Sequence, residues 1–245
     1  YFQDSIFRGA WEQAPAYNLG ESAILRDMFK TLRDFLRSHK YWVLALYFVV
    51  YILAFFIIEE HTPTEGYWVT DTFIDSYIPF VPGFAVFYII WYPLFAAVGI
   101  PTLIKDGEAF KRWMYYNMFT LTATLVLDVL VPNGQHLRPQ DVQVTDLGTW
   151  IMSIIWAADT PTNVFPSMHV LGCLGDILCC FDSRIFTRPW RWVITVLCVL
   201  CMASTVLVKQ HAFIDTVGAL IFAVPAFFLF YRKRFLRRKN AAVPS

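Results

Sequence analysis

Residues 41–58, YWVLALYFVVYILAFFII, run for eighteen positions without a charged side chain. A membrane-crossing helix needs about 20 mainly apolar residues, with a range of ~17–25. The pattern recurs along the chain. Residues 76–104 carry no charge, and Pro79, Pro82 and Gly83 put the start of the helix proper near 83. Residues 113–131 carry only Asp128, 166–181 only His169 and Asp176, 212–231 only Asp215, and 192–208 nothing. Six spans are expected, the shorter ones with polar ends in the interface. A seventh apolar stretch, 147–157, is too short to cross and reads as an interfacial or re-entrant segment.

Composition agrees. Of 245 residues, 57% are apolar and 16% charged, against ~45–50% and ~25% in a soluble domain. The mean hydropathy is +0.48. This excludes a disordered chain, a nucleic-acid-binding protein and an ordinary cytosolic enzyme. Aromatic side chains make up 18%, which suits lipid-facing surfaces with interfacial belts. Residues 1–3 resemble the end of a cleavable tag, no cleavable signal peptide is evident, and 4–20 show no pattern. Over 21–40, Leu25, Met28, Phe29, Leu32, Phe35 and Leu36 recur at spacings of three and four between basic residues. That is an amphipathic helix for an anionic membrane surface. The expected architecture is an all-α membrane protein: an N-terminal segment (4–40) with an interfacial helix, a six-transmembrane-helix bundle (41–231) and a basic tail (232–245).

Charge placement tests the count. With six spans both termini share a side, and the tail's Arg and Lys residues mark it as cytoplasmic. The N-terminal region, the 105–112 loop and the 182–191 loop join it. Together these hold 18 of the 20 Lys and Arg residues. A seventh span would divide them between faces. The outer loops are acidic, with Glu59, Glu60, Glu65, Asp71, Asp75, Asp141, Asp146 and Asp159. The only basic residues there are Arg138 and Lys209, and these two exceptions need a reason. All five cysteines (173, 179, 180, 198, 201) lie in apolar segments, where Cys behaves as a small hydrophobe.

The polar residues of the outer face form a constellation. Span four opens with Phe165-Pro166-Ser167-Met168-His169, a helix start whose free amides, with the Ser167 hydroxyl, suit an anion. Span six opens with Lys209-Gln210-His211-Ala212-Phe213-Ile214-Asp215. On a helix His211 and Asp215 face the same way, and the carboxylate fixes the imidazole's tautomer. The 42 residues from His169 to His211 allow one span inward and one back, so both imidazoles reach one face. Arg138 reaches it too. Two cations and a helix end call for an anion, and the guanidinium fork suits phosphate. A histidine nucleophile and a histidine acid suit phosphoryl transfer. No Gly-rich nucleotide loop is present.

These motifs resemble the type 2 phosphatidic acid phosphatase superfamily over about residues 83–231. Pro166-Ser167-Met168-His169 is similar to its second motif, Pro-Ser-x-His. Ser204, His211 and Asp215 stand in register with its third, Ser-Arg-x5-His-x3-Asp, and Arg138-Pro139 with the end of its first, Lys-x6-Arg-Pro. The resemblance implies that His211 is the nucleophile, Asp215 its support and His169 the leaving-group acid. It implies phosphate contacts from Arg138, Ser167 and the Met168 turn, and no metal or cofactor. Two positions depart: Val131 and Thr205 stand where the family has Lys and Arg. Lys209 is the candidate replacement cation. It and the run Asn163–His169 are similar to the inositol phosphorylceramide synthase branch; the basic-x-His-x3-Asp pattern is shared more distantly by sphingomyelin synthases. Those enzymes pass a phosphorylated headgroup to a lipid alcohol.

Plainer readings stand beside these. His-x3-Asp alone is better explained by helix capping, and Pro-Ser-x-His alone is similarly weak. Asp176 reads as a hydrogen-bonded structural carboxylate, and Asp128 as either structural or supporting. Asp159 and Asn163 cap a loop or touch a headgroup, His136 is a solvated loop residue, and His39 and His61 are interfacial. The leading expectation is a lipid-phosphate phosphatase acting from the extracytoplasmic face. A lipid phosphotransferase comes next, then a non-catalytic lipid-binding protein. A zinc site from His169, His211 and Asp215 lacks a fourth-ligand motif.

Overall fold

The computed structural model describes residues 19–63 and 65–241. The tag reading of 1–3, the patternless stretch to residue 18 and the last four residues of the tail lie outside them. Two compact units divide at residue 40. The first contains helix α1, Leu19–Ser38, which covers most of the amphipathic stretch. Ile24 and Met28 are exposed on it.

The second unit is a helical bundle. Four stretches are long and apolar enough to cross a membrane: Lys40–His61, Pro82–Lys105, Arg188–Leu207 and Phe213–Phe230. The first holds α2, Leu46–His61. The second is broken into a 3-10 turn at Pro82–Phe84, α3 (Ala85–Ile89) and α4 (Trp91–Lys105). Pro93 sits in the first turn of α4, where an N–H would have no intrahelical acceptor.

The expected spans 113–131 and 166–181 correspond to α5, Gly107–Leu130, and α7, Met168–Asp182, which are not among those four. Helix α7 has only fifteen residues, and α5 is made less apolar by the polar side chains that it buries. Helix α7 packs against α4, α5, α8 (Arg188–Leu207) and α9 (Phe213–Phe230), and ten of its fifteen residues are buried. Helix α5 buries Asn117, Thr120, Thr124 and Asp128. A helix enclosed by other helices need not be apolar on every side, so hydropathy alone under-reads it. All five cysteines are free and buried, packed with Trp113, Met114, Phe110 and Val98 in the largest core cluster.

The apolar stretch 147–157 becomes α6, Leu147–Ala158, with a reciprocal cap between Asp146 and Thr149. It packs on α3 and on the 3-10 turn before it. Among the described residues the only strands are β1 (Trp68–Val69) and β2 (Asn133–Gly134), paired in parallel. They tie the 63–82 and 131–146 loops together at the end of the bundle that carries the candidate site. At the other end the buried Asp182 accepts from Arg112 Nη2 at 2.6 Å and from Arg234 Nε, at the start of α10 (Arg232–Ala241), at 3.2 Å.

Gly148 marks the tightest approach of α6. A Cβ there would lie 2.4 Å from the Pro82 carbonyl oxygen and 2.5 Å from its carbon, and backbone cannot swing away. Gly148→Ala is therefore expected to destabilise the bundle by ~1–3 kcal/mol, read as a lower Tm in detergent. An unchanged Tm would show that α6 docks more loosely than this.

Candidate active site

Thr205 governs the approach to α9. Its carbonyl accepts from the backbone N–H groups of both Gln210 and His211. Lys209 takes a left-handed conformation (φ 57°) to make that turn. His211 then precedes α9 rather than lying on it, because the helix begins at Phe213 after an extended Ala212. The His211–Asp215 pairing expected from helical spacing is present, but its cause differs: Asp215 reaches back from the first turn. Its Oδ2 accepts from the Ala212 N–H at 2.8 Å and lies 3.3 Å from His211 Nδ1.

His211 Nδ1 is also 2.9 Å from the Val164 carbonyl. A carbonyl only accepts, so Nδ1 carries the proton and Nε2 keeps its lone pair. The tautomer is thus set by two acceptors, on either side of one N–H.

Val164 lies in the second segment of the site. Here too the helix starts later than expected: Ser167 is the N-cap of α7, and Pro166 stands before it after a cis Phe165–Pro166 bond. Ser167 N donates to the Asp215 carbonyl at 3.1 Å, joining the two motif turns. The first-turn amides of α7, from Met168 onward, have no intrahelical acceptor. His169 faces His211 edge to face, with 5.9 Å between ring centroids. Its ring is held between Tyr88, stacked at 4.2 Å, and Trp91 at 4.8 Å. Among the described residues, neither ring nitrogen of His169 nor the Ser167 hydroxyl has a hydrogen-bond partner.

The two expected cations behave differently from a simple clamp. Arg138 donates from Nη1 to the Asp159 carbonyl at 2.7 Å and from Nη2 to the Thr160 carbonyl at 2.8 Å, with the Asp159 carboxylate 3.7 Å away. Its Nε is unpaired. Lys209 is buried, and its ammonium donates to the Asp75 carbonyl at 2.8 Å. Burial pulls Lys209 below its usual range, opposed by Asp75 and Asp71. Burial also pushes Asp159 up to about 6, with Arg138 opposing. Asp159 further accepts from Gln210 Nε2 at 3.1 Å.

The remaining candidates have local partners. Asn163 (φ 54°) holds the Thr62 hydroxyl through its amide at 3.0 Å. His136 Nε2 meets the Tyr67 hydroxyl at 3.0 Å in an exposed loop. Met168 Sδ lies 3.8 Å from the Tyr51 hydroxyl. Val131 is exposed at the end of α5, while Thr205 is buried. Asp176 accepts from Trp113 Nε1 at 2.9 Å, well inside the bundle. Among the described residues no group of three metal-binding side chains converges.

Asn133 was not singled out from the sequence, yet it organises the site. Its Oδ1 accepts from both Val164 N and Phe165 N at 2.8 Å. Its Nδ2 donates to Asp128 Oδ1 at 3.1 Å, and its own carbonyl accepts from Asn163 N at 2.8 Å. Asp128 therefore orients Asn133, and Asn133 holds the peptide that fixes His211. Asn133-Gly134 reads locally as a turn dipeptide, which conceals this. Asp75 was missed similarly. Its Oδ2 takes the Thr72 amide and hydroxyl, and its Oδ1 takes the Phe213 amide at 2.7 Å, capping α9 from a distant loop. The Thr72-x-x-Asp75 spacing, that of a capping box, was the available signal.

No family model, curated protein or solved structure matches this chain.

Asn133→Ala strips two buried amides of their acceptor, at a cost of ~1–3 kcal/mol per group left unpaired. The expected result is a lower Tm and faster hydrogen exchange at Val164 and Phe165. Unchanged exchange at those two amides would rule out this role.

Proposed function

We propose that the protein is an integral-membrane lipid-phosphate phosphatase working through a phosphohistidine on His211. The observation that carries this reading is the fixed tautomer of His211 with His169 facing it across 5.9 Å. Nε2 of His211 attacks phosphorus and the bond to the lipid oxygen breaks. His169, which takes up a proton as the anionic phosphate arrives beside it, gives that proton to the departing alkoxide. It then removes a proton from water, which attacks phosphorus; the N–P bond breaks and phosphate leaves. Asp215 and the Val164 carbonyl stabilise the positive ring formed on attack. The Ser167 hydroxyl, the first-turn amides of α7 and the unpaired edge of Arg138 face the phosphoryl oxygens. Lys209 contributes from behind the His211 turn, by holding Asp75.

The membrane layout belongs to the same proposal. Helices α2, α3–α4, α5, α7, α8 and α9 make six crossings. The clustering of Arg112, Asp182 and Arg234 at one end, opposite the histidines, supports this. Both termini are then cytoplasmic and the site extracytoplasmic. The order of the motifs, similar to the type 2 phosphatidic acid phosphatases, supports the chemistry.

A lipid alcohol as acceptor is the second reading. A cavity of about 550 Å³ beside Arg138 is lined by Glu59, Glu60 and Asp159. Carboxylates there accept hydrogen bonds from hydroxyls and repel a second anion. Product analysis with donor and acceptor lipids separates the two readings: free phosphate alone supports hydrolysis, and a transferred headgroup supports transfer.

His211→Ala is expected to reduce phosphate release from a lipid monophosphate or diphosphate by at least ~10³-fold. Near-normal turnover would end the proposal.

Asp159 supplies a pH signature. Because burial raises it to about 6, the folded state holds that proton more tightly than the unfolded chain does. The cost of burying the charge is absent well below that pH and complete above it. A new negative charge beside Arg138 then repels phosphate, so KM is expected to rise several-fold as pH climbs through about 6. Glu59 and His211 also act on this carboxyl, so the comparison is with Asp159→Asn. That variant is expected to lose the step attributable to Asp159. An identical profile in wild type and variant would contradict the assignment.

A further inference from the structure

An apolar groove of about 600 Å³ lies between α2 and α4. Phe48, Ile52 and Phe55 form one wall, Tyr92, Ala96 and Ile100 the other. Trp113 of α5 closes the floor, approached so closely by α4 that a Cβ on Gly99 would lie 2.9 Å from its ring. Two further lining residues, Trp91 and Met168, join the groove to the site. Trp91 is the ring packed against His169 at 4.8 Å, and Met168 is the residue before that histidine.

A groove that merely faced lipid would have no reason to end against the residues that hold the His169 ring. This one starts at the His169 turn and follows α4 from Trp91 to Leu103. At ~1.5 Å per residue those twelve steps span ~18 Å. Half of a ~30 Å hydrocarbon core is ~15 Å, so the groove outreaches a single leaflet. It occupies the single gap between α2 and α4.

We infer that this groove takes a single long hydrocarbon chain of the substrate, laid along α4 with its phosphate end at Met168, and that it makes the enzyme select for chain length. The inference rests on the lipid-phosphate reading of the site. Ala96 is exposed in the middle of the groove, so a large side chain there fills it without disturbing the core.

The test compares wild type, Ala96→Trp, Ala96→Leu and Val199→Trp, the last an exposed position on α8 outside the groove. Hexyl phosphate and octadecyl phosphate are the probes, in one detergent, so that partition into micelles cancels between variants. Ala96→Trp is expected to lower kcat/KM for octadecyl phosphate by about tenfold or more and leave hexyl phosphate within about twofold. Ala96→Leu should fall between, and Val199→Trp should match wild type. Calorimetric binding of both phosphates to a His211→Ala background and to its Ala96→Trp derivative keeps the result independent of turnover. A chain-length preference unaltered by Ala96→Trp in binding overturns the groove assignment. A binding preference abolished by Ala96→Trp, together with a wild-type protein that hydrolyses neither probe, would instead sink the phosphatase reading and leave the groove standing.

Discussion

The N–H on His211 Nδ1 is the constraint on which the site depends. It points at a backbone carbonyl and a carboxylate, neither of which can give a proton back, so the ring has one tautomer open to it. That leaves the lone pair of the neutral ring on Nε2, the nitrogen to which the proposed mechanism gives the attack. The carbonyl belongs to Val164, in the segment that leads to Ser167 and His169. One hydrogen bond therefore ties the tautomer of His211 to the position of the segment that carries His169. Much of the surrounding structure keeps that peptide in place: Asn133 grips the amides of Val164 and Phe165, and Asp128 orients Asn133.

The opposite side of the histidine is governed by the start of α9. Asp215 reaches back to the Ala212 amide, Asp75 caps Phe213 from a distant loop, and the Lys209 ammonium holds the Asp75 carbonyl. A charge isolated on an acidic face thus has a reason, though not the one its position first suggests. Lys209 fastens the loop that caps α9. Arg138 likewise spends two of its nitrogens on the carbonyls that end α6. Both cations thus fasten loops around the candidate site, so the frame is assembled by contacts within the protein.

The stretches 41–58 and 192–208 announce themselves because they hold no charged residue over eighteen and seventeen positions. Helix α7 is enclosed by four other helices and is only fifteen residues long, so its length rather than its composition sets it apart. That His169, His211 and Asp215 would come together was legible because their places beside helix starts are local properties. The i, i+4 argument for His211 and Asp215 found the right pair through the wrong geometry, since His211 lies ahead of the helix. Asn133 and Asp75 were not readable, because what they do is decided by peptides about thirty and well over a hundred residues away.

The central claim is that His211 Nε2 becomes covalently bonded to phosphorus. Rapid acid-free quenching of the protein with a phosphate-labelled lipid phosphate, followed by peptide mapping, tests it most directly. The account predicts protein-bound label on His211 that is stable to alkali, lost in acid and absent from His211→Ala. Turnover with no label on His211, or label on another residue, would contradict it.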